Sequence, residues 1–233
     1  MKNQYFADRN DFFKYDLLIF LAEQLAAKRL PVIWMRTDDD ETQDGQKISY
    51  AKGAGDRGLY RFLQKSLDEG DETRKVNKLN DYFKGAGHSF EYCPYGAERL
   101  FLHRDRAAYF DGIPKENLDD AVVFLDPDNG LEVKSTWDGN GDKYVKLDEV
   151  ELIYSKMGQN SVLVIYQHLP RRHRRLFFYS TFNQLAEKLG CAMPVSISDN
   201  MIAFIILAKD RKQQTRVREA LHEYKRSHLE IYD

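Results

Sequence analysis

The stretch Asp126-Pro127-Asp128-Asn129-Gly130 is where residue type and spacing best suit chemistry. It ends a continuous apolar run, Ala121 to Leu125. A carboxylate at the end of a buried strand is costly to desolvate unless it meets a donor, a metal or a substrate amine. Pro127 stiffens the turn, and Gly130 allows a backbone conformation that other residues resist. Asp126 and Asp128 stand one residue apart, so both could converge on a divalent ion such as Mg²⁺ or Mn²⁺. Such an ion would activate water and neutralise phosphate charge in a hydrolase or nuclease. The purely structural alternative is that Asp126 caps the turn and Asn129-Gly130 is a bend.

Two other places carry polar residues that packing alone does not require. His168 follows the apolar run Ser161 to Tyr166, where an imidazole can act as general base, ligand partner or metal ligand, or simply hold the loop backbone. Just beyond it, Arg171, Arg172, His173, Arg174 and Arg175 form the densest positive stretch, in the first turn of an expected helix. The helix dipole disfavours cations there, so the placement makes sense if they face an anion such as a nucleic-acid backbone, a solvated helix face being the alternative. The run Asp38 to Glu41 reads either as a cation or hydroxyl site or as a solvated loop.

The elements that must position these residues follow from periodicity. Phe12, Phe13, Leu17, Leu18, Leu21 and Leu25 recur at helical spacing behind an N-cap at Asp8 or Asn10. Val32 to Met35 is a buried strand, and 37–58 is a long polar connection. Helical patches follow at 59–67 and 75–83, short strands at 89–95 and 99–103, and a helical turn or two at 104–110. After the strand ending at Asp126 come a helix at 147–157, the strand at 161–166, and a long helix at 171–189. A hairpin of 192–198 and 201–207 turns at Asp199-Asn200, and a charged helix at 213–226 closes the chain. In an open parallel sheet ligands bind beyond the carboxyl ends of the strands, which is where the three polar stretches fall.

Composition narrows the function classes. At 233 residues with 42% hydrophobic and 31% charged residues, the chain reads as one globular α/β domain spanning 1–233. A net charge of −2 means that nucleic acid would be held by a local patch, not by the overall field. Cys93 and Cys191 lack metal-ligand spacing and read as buried thiols. No apolar run reaches the ~20 residues of a membrane span, and 1–9 lacks an apolar signal segment, so the expectation is a cytoplasmic protein without a membrane partner.

The order of elements resembles the second half of the S-adenosylmethionine-dependent methyltransferase fold: a strand ending in Asp-Pro, a helix, a strand, a long helix and an antiparallel hairpin. Phe124-Leu125-Asp126-Pro127-Asp128-Asn129 is similar to the Asp-Pro-Pro-Tyr motif of adenine N6-methyltransferases, and the segment Tyr5 to Tyr15 resembles the opening of those acting on large-subunit ribosomal RNA. The resemblance implies a three-layer Rossmann-like fold with S-adenosylmethionine as cofactor and RNA or DNA as partner. Asp126 would accept from a target amine, with Asn129 or His168 orienting it. The loop from Thr37, with Asp38 and Asp39, would contact the cofactor, and Arg171, Arg172, Arg174 and Arg175 the phosphates. The sequence departs from the pattern in three ways. No glycine follows the first strand until Gly45, Asp128 replaces the second proline, and Asn129 replaces the stacking aromatic, a role left to Tyr166 or Tyr144. Metal-dependent phosphodiester hydrolysis and a non-catalytic binding module on the same fold are the competing expectations.

Overall fold

A computed structural model describes residues 1–42, 45–49, 55–70, 74–133, 141–170 and 173–233. Helix α1 (Arg9–Gln24) leads into strand β1 (Arg29–Trp34), and α2 (Arg57–Asp68) and α3 (Leu79–Ala86) precede β2 (Glu91–Tyr95). Then come α4 (Arg106–Asp111), β3 (Val122–Asp126), the short pair β4 (Gly130–Leu131) and β5 (Tyr144–Val145), α5 (Leu147–Lys156) and β6 (Val162–His168). Helix α6 (Arg174–Leu189), the hairpin β7 (Val195–Ser198) and β8 (Ile202–Ala208), α7 (Arg211–Tyr224) and β9 (Glu230–Tyr232) complete the fold.

Seven strands form one sheet in the order β2-β1-β3-β6-β8-β7-β9. The first four run parallel; β8 is antiparallel to β6, and β7 and β9 continue the antiparallel edge. Alternation along the strands divides the core in two. Val32, Trp34, Phe124 and Phe204 face the layer of α1, α2, α3 and α7, whereas Ile33, Leu125, Ile165 and Ile205 face α4, α5 and α6. The near-continuous apolar strands are thus explained: both faces are covered. Among the described residues, no helix is long and apolar enough to cross a membrane.

Several sequence-based boundaries shift. Residues 99–102 lie outside any strand, because Phe101 inserts its ring against Tyr109 and Phe110 while its N–H bonds Arg36 O at 2.7 Å. Cys93 is buried, but Cys191 is only half-buried; both are free thiols. The long helix begins at Arg174 behind an N-cap at His173, and Arg171 and Arg172 lie outside the described residues, as does Trp137.

The strand order also fixes where a site can form. From β1 the chain crosses to β2 on one side, and β3 lies on the other, so β1 and β3 diverge at a switch point. Trp34 and Asp126, the last residues of the two strands, stand opposite each other there.

Candidate functional site

Asp126 ends β3 with only 1% of its surface exposed, and its carboxylate neither caps the turn nor reaches solvent. Instead Oδ2 accepts from Lys14 Nζ at 2.9 Å, and the same ammonium donates to Asp11 Oδ1 at 2.8 Å. Lys14 and Asp11 come from the first two turns of α1, whose amino end points at the carboxyl ends of the strands. Asp8 caps that helix, accepting from the Asp11 N–H at 2.8 Å, while Asp11 Oδ2 accepts in return from the Ala7 N–H at 3.3 Å. The helix dipole favours both carboxylates at this end.

These groups line a cavity of about 290 Å³, walled also by Tyr166, His168, Asn129, Lys47 and Met201. Tyr166 presents its ring to Lys14, whose Nζ lies 5.4 Å from the ring centroid. Asp128 is the carboxylate with spare capacity: its side chain is 4% exposed, its Oδ1 has no hydrogen-bond partner, and the Met1 amino group stands 3.5 Å away. That amino group donates to Met35 O at 2.9 Å.

The turn after Asp126 is built around Gly130 and Gln167. Gly130 has φ 125, and a Cβ there would lie 2.5 Å from the Gln167 amide. With no side chain in the way, Gln167 Oε1 accepts from Leu131 N at 3.0 Å and Nε2 donates to His168 O at 2.8 Å. The His168 N–H in turn bonds Asn129 O at 2.8 Å, so the histidine both holds the loop backbone and offers its exposed side chain to the cavity.

Burial and mutual charge set the protonation pattern. Burial opposes the charge on Lys14, but Asp11 and Asp126 outweigh it and hold the ammonium above the ordinary lysine range. Lys14 is therefore a fixed cation, not a nucleophile or base. Burial, reinforced by the charge of Asp11, pushes Asp8 up to about 7, where a carboxyl can exchange a proton at neutral pH. Asp11 is also raised by burial, against the pull of Lys14.

The divalent-metal reading of Asp126 and Asp128 does not fit this arrangement. The Lys14 ammonium already holds the cationic place beside Asp126, and no three His, Cys, Asp or Glu among the described residues are grouped to hold an ion. The proposed cofactor residues go elsewhere too. Thr37 N donates to Met1 O at 3.0 Å, Asp39 accepts from Gln4 N at 3.0 Å, and neighbouring Asp40 pairs with Lys2. None of Thr37, Asp38 and Asp39 lines the cavity. Further backbone groups at the end of β1 are committed as well, Trp34 O to Tyr109 OH at 2.6 Å and Arg36 O to Phe101 N. No glycine follows β1 until Gly45 and these backbone groups are engaged within the chain, whereas the Thr37 hydroxyl is buried without a hydrogen-bond partner; residues 43–44 and 50–54 of the loop expected to contact S-adenosylmethionine lie outside the described residues.

Of the two aromatic candidates, Tyr166 lines the cavity, and Tyr144 belongs to the β4–β5 pair instead. Arg174 spans Asn200 at the hairpin tip, with its guanidinium 2.5 Å from Oδ1 and 2.9 Å from the carbonyl oxygen; Arg175 is exposed. Sequence periodicity alone missed Asp11 and Lys14. Their signal is the stripe Asp11, Lys14, Leu18, Leu21, Leu25, in which two charges continue an apolar face at steps of three and four. The chain matches no protein-family model, no curated protein and no solved structure.

Proposed function

We propose that this chain is a divergent methyltransferase-like protein on a Rossmann-like fold, whose cavity at the end of β3 receives an amine-bearing group of the nucleobase class. One observation carries the reading: the Asp128 carboxylate is buried and lines the cavity, and its Oδ1, ion-paired with the Met1 amino group at 3.5 Å, makes no hydrogen bond. An acceptor of that kind is costly to bury, and an incoming N–H donor offsets the cost. Asp126 serves differently from the role that the resemblance implies. It anchors Lys14, and the Lys14–Asp11–Asp126 set fixes the cavity floor. The Tyr166 ring offers a face for stacking, and Asp8 supplies a proton acceptor or donor near neutral pH.

Supporting the fold assignment are the strand ending in Asp-Pro at the switch point and the antiparallel hairpin after the last parallel strand. No step is assigned to S-adenosylmethionine, because no glycine follows β1 before Gly45 and backbone groups at the end of that strand bond within the chain. Lys14, as the resident cation beside Asp126, disfavours the hydrolase alternative.

Calorimetric titration with adenosine and inosine tests the reading, since the two differ at the purine 6-position by amine against carbonyl. Saturable binding of adenosine at least tenfold tighter than inosine is the expected result. Equal affinity for both, or binding of neither, overturns it.

A further inference from the structure

The two edges of the sheet differ. On β2, Pro94 removes a backbone donor, one of the ways in which an edge strand is kept from pairing with another chain. The opposite edge, β9, carries neither proline nor lysine, and among the described residues it pairs with β7 alone. Tyr232 of that strand stacks on Phe178 of α6, ring centroids 4.2 Å apart, so the helix lies over the edge. One flank of α6 is turned to α5, where Lys188 bonds Asp148 and Glu151, each at 2.8 Å. Tyr179 precedes Lys188 by nine residues, about two and a half helical turns, and so faces away from α5, toward the β9 side. It is 72% exposed, and Leu176, three residues before it on the same face, is 67% exposed. Among the described residues no other large apolar side chain is more than half exposed. Charges of both signs surround the pair: Arg174 and Arg175 act on Glu230 and Tyr232, and Glu230 and Asp233 are exposed.

We infer that two copies of this chain associate about a two-fold axis through β9, with the α6 helices side by side. The inference goes beyond the proposed amine site and does not depend on it. A two-fold axis perpendicular to a sheet relates antiparallel strands and keeps each face of the sheet on its own side. Pairing of β9 with its copy continues the antiparallel order β8-β7-β9, and both α6 helices flank the junction on one face. Leu176 and Tyr179 then leave water against their counterparts, which adds apolar contact to a short strand pairing. A register centred on Ile231 sets Glu230 of one copy opposite Tyr232 of the other, a carboxylate against a hydroxyl donor. An interface of this isologous kind must complement itself, as a patch carrying both arginine and carboxylate does. A polyanion or an anionic membrane calls instead for one sign of charge.

Sedimentation velocity of the full chain at micromolar concentration tests the inference. The wild type is expected as a dimer. Leu176→Asp/Tyr179→Asp, two changes at exposed positions, is expected as a monomer with an unchanged far-ultraviolet circular dichroism spectrum. Its dimer affinity should fall by about thirtyfold or more, the effect of losing one interface hot spot. Ile231→Cys tests the strand pairing separately, because residues opposite each other in an antiparallel pair stand about 4.5–5.5 Å apart, within reach of a disulfide. Mild oxidation should join two copies of that variant through the introduced thiol and leave the wild type, with its free Cys93 and Cys191, unjoined. A monomeric wild type, or a dimer that survives the α6 substitutions, overturns the inference. A dimer that dissociates with them but is not joined in Ile231→Cys puts the contact on α6 alone and overturns the pairing of β9.

Discussion

Helix α1 buries two aspartates five residues apart, and they do opposite kinds of work. Asp16 faces α7 and the start of α2, where three donors use up its carboxylate: Asp56 N at 2.6 Å, Tyr224 OH at 2.6 Å and Arg226 at 2.9 Å. It ties three segments together and does not line the cavity described above. Asp11 faces the strand ends, shares Lys14 with Asp126, and stands in the same cavity as Asp128, whose Oδ1 lacks a hydrogen-bond partner. Burial alone therefore does not mark a functional carboxylate. What separates the two regions is open space beside a buried carboxylate oxygen that has an ion pair with the Met1 amino group and no hydrogen bond.

The sharpest way to break this comparison is to remove Lys14. Lys14→Met leaves Asp11 and Asp126 buried without their cation, and breaking a buried pair in this way costs about 3–5 kcal/mol. Urea denaturation at neutral pH should show that loss. A loss under 1 kcal/mol would mean that the ammonium does not hold the floor of the cavity.

Asp16→Ala is expected to cost about 2–3 kcal/mol, because it strands the donors of Tyr224 and Arg226. Asp16→Asn keeps an acceptor there and serves as the milder variant for binding work. Its affinity for adenosine should match the wild-type value. If that affinity collapses while the fold persists, the two regions are not separable.

The smallest expected effect concerns Asp8. Its carboxyl ionises near 7 when folded and near 3.8 when unfolded, so between those pH values the folded state binds more protons. Stability should fall as pH rises through that window and level off above it. Asp8→Asn retains a side-chain oxygen for the helix cap but removes the titration. Its denaturation midpoint should depend less on pH between 4 and 7 than that of the wild type. Parallel pH profiles for the two proteins would contradict the assignment.

Much of the fold was legible because fully buried strands and long amphipathic helices carry strong local signals. Val32 to Met35, Ala121 to Leu125 and the hairpin around Asp199-Asn200 all lie where apolar runs and turn residues indicate. The turn at Gly130 was legible for the same reason, its positive φ excluding most side chains. The site was legible on its strand side only. Asp126, Asn129 and His168 do share one cavity, but the residues that complete it come from α1, where Asp11 and Lys14 pass for ordinary helix charges until the stripe is drawn through them. The tertiary pairing of Lys14 with Asp126, 112 residues apart, has no local signature. The loop at Thr37 to Asp39 stands apart from this cavity. Its position after β1 suggests a ligand loop, and the structure bonds the Thr37 N–H to Met1 O and the Asp39 carboxylate to Gln4 N, while the Thr37 hydroxyl is buried without a hydrogen-bond partner.

The most direct test of the central claim is a parallel calorimetric titration of wild-type, Asp128→Asn and Asp16→Asn proteins with adenosine. The expected result is a loss of about tenfold or more in Asp128→Asn, the scale of a lost charge-assisted hydrogen bond, with the other two proteins equal. Wild-type affinity in Asp128→Asn would contradict the claim that this carboxylate is the cavity's acceptor for an amine.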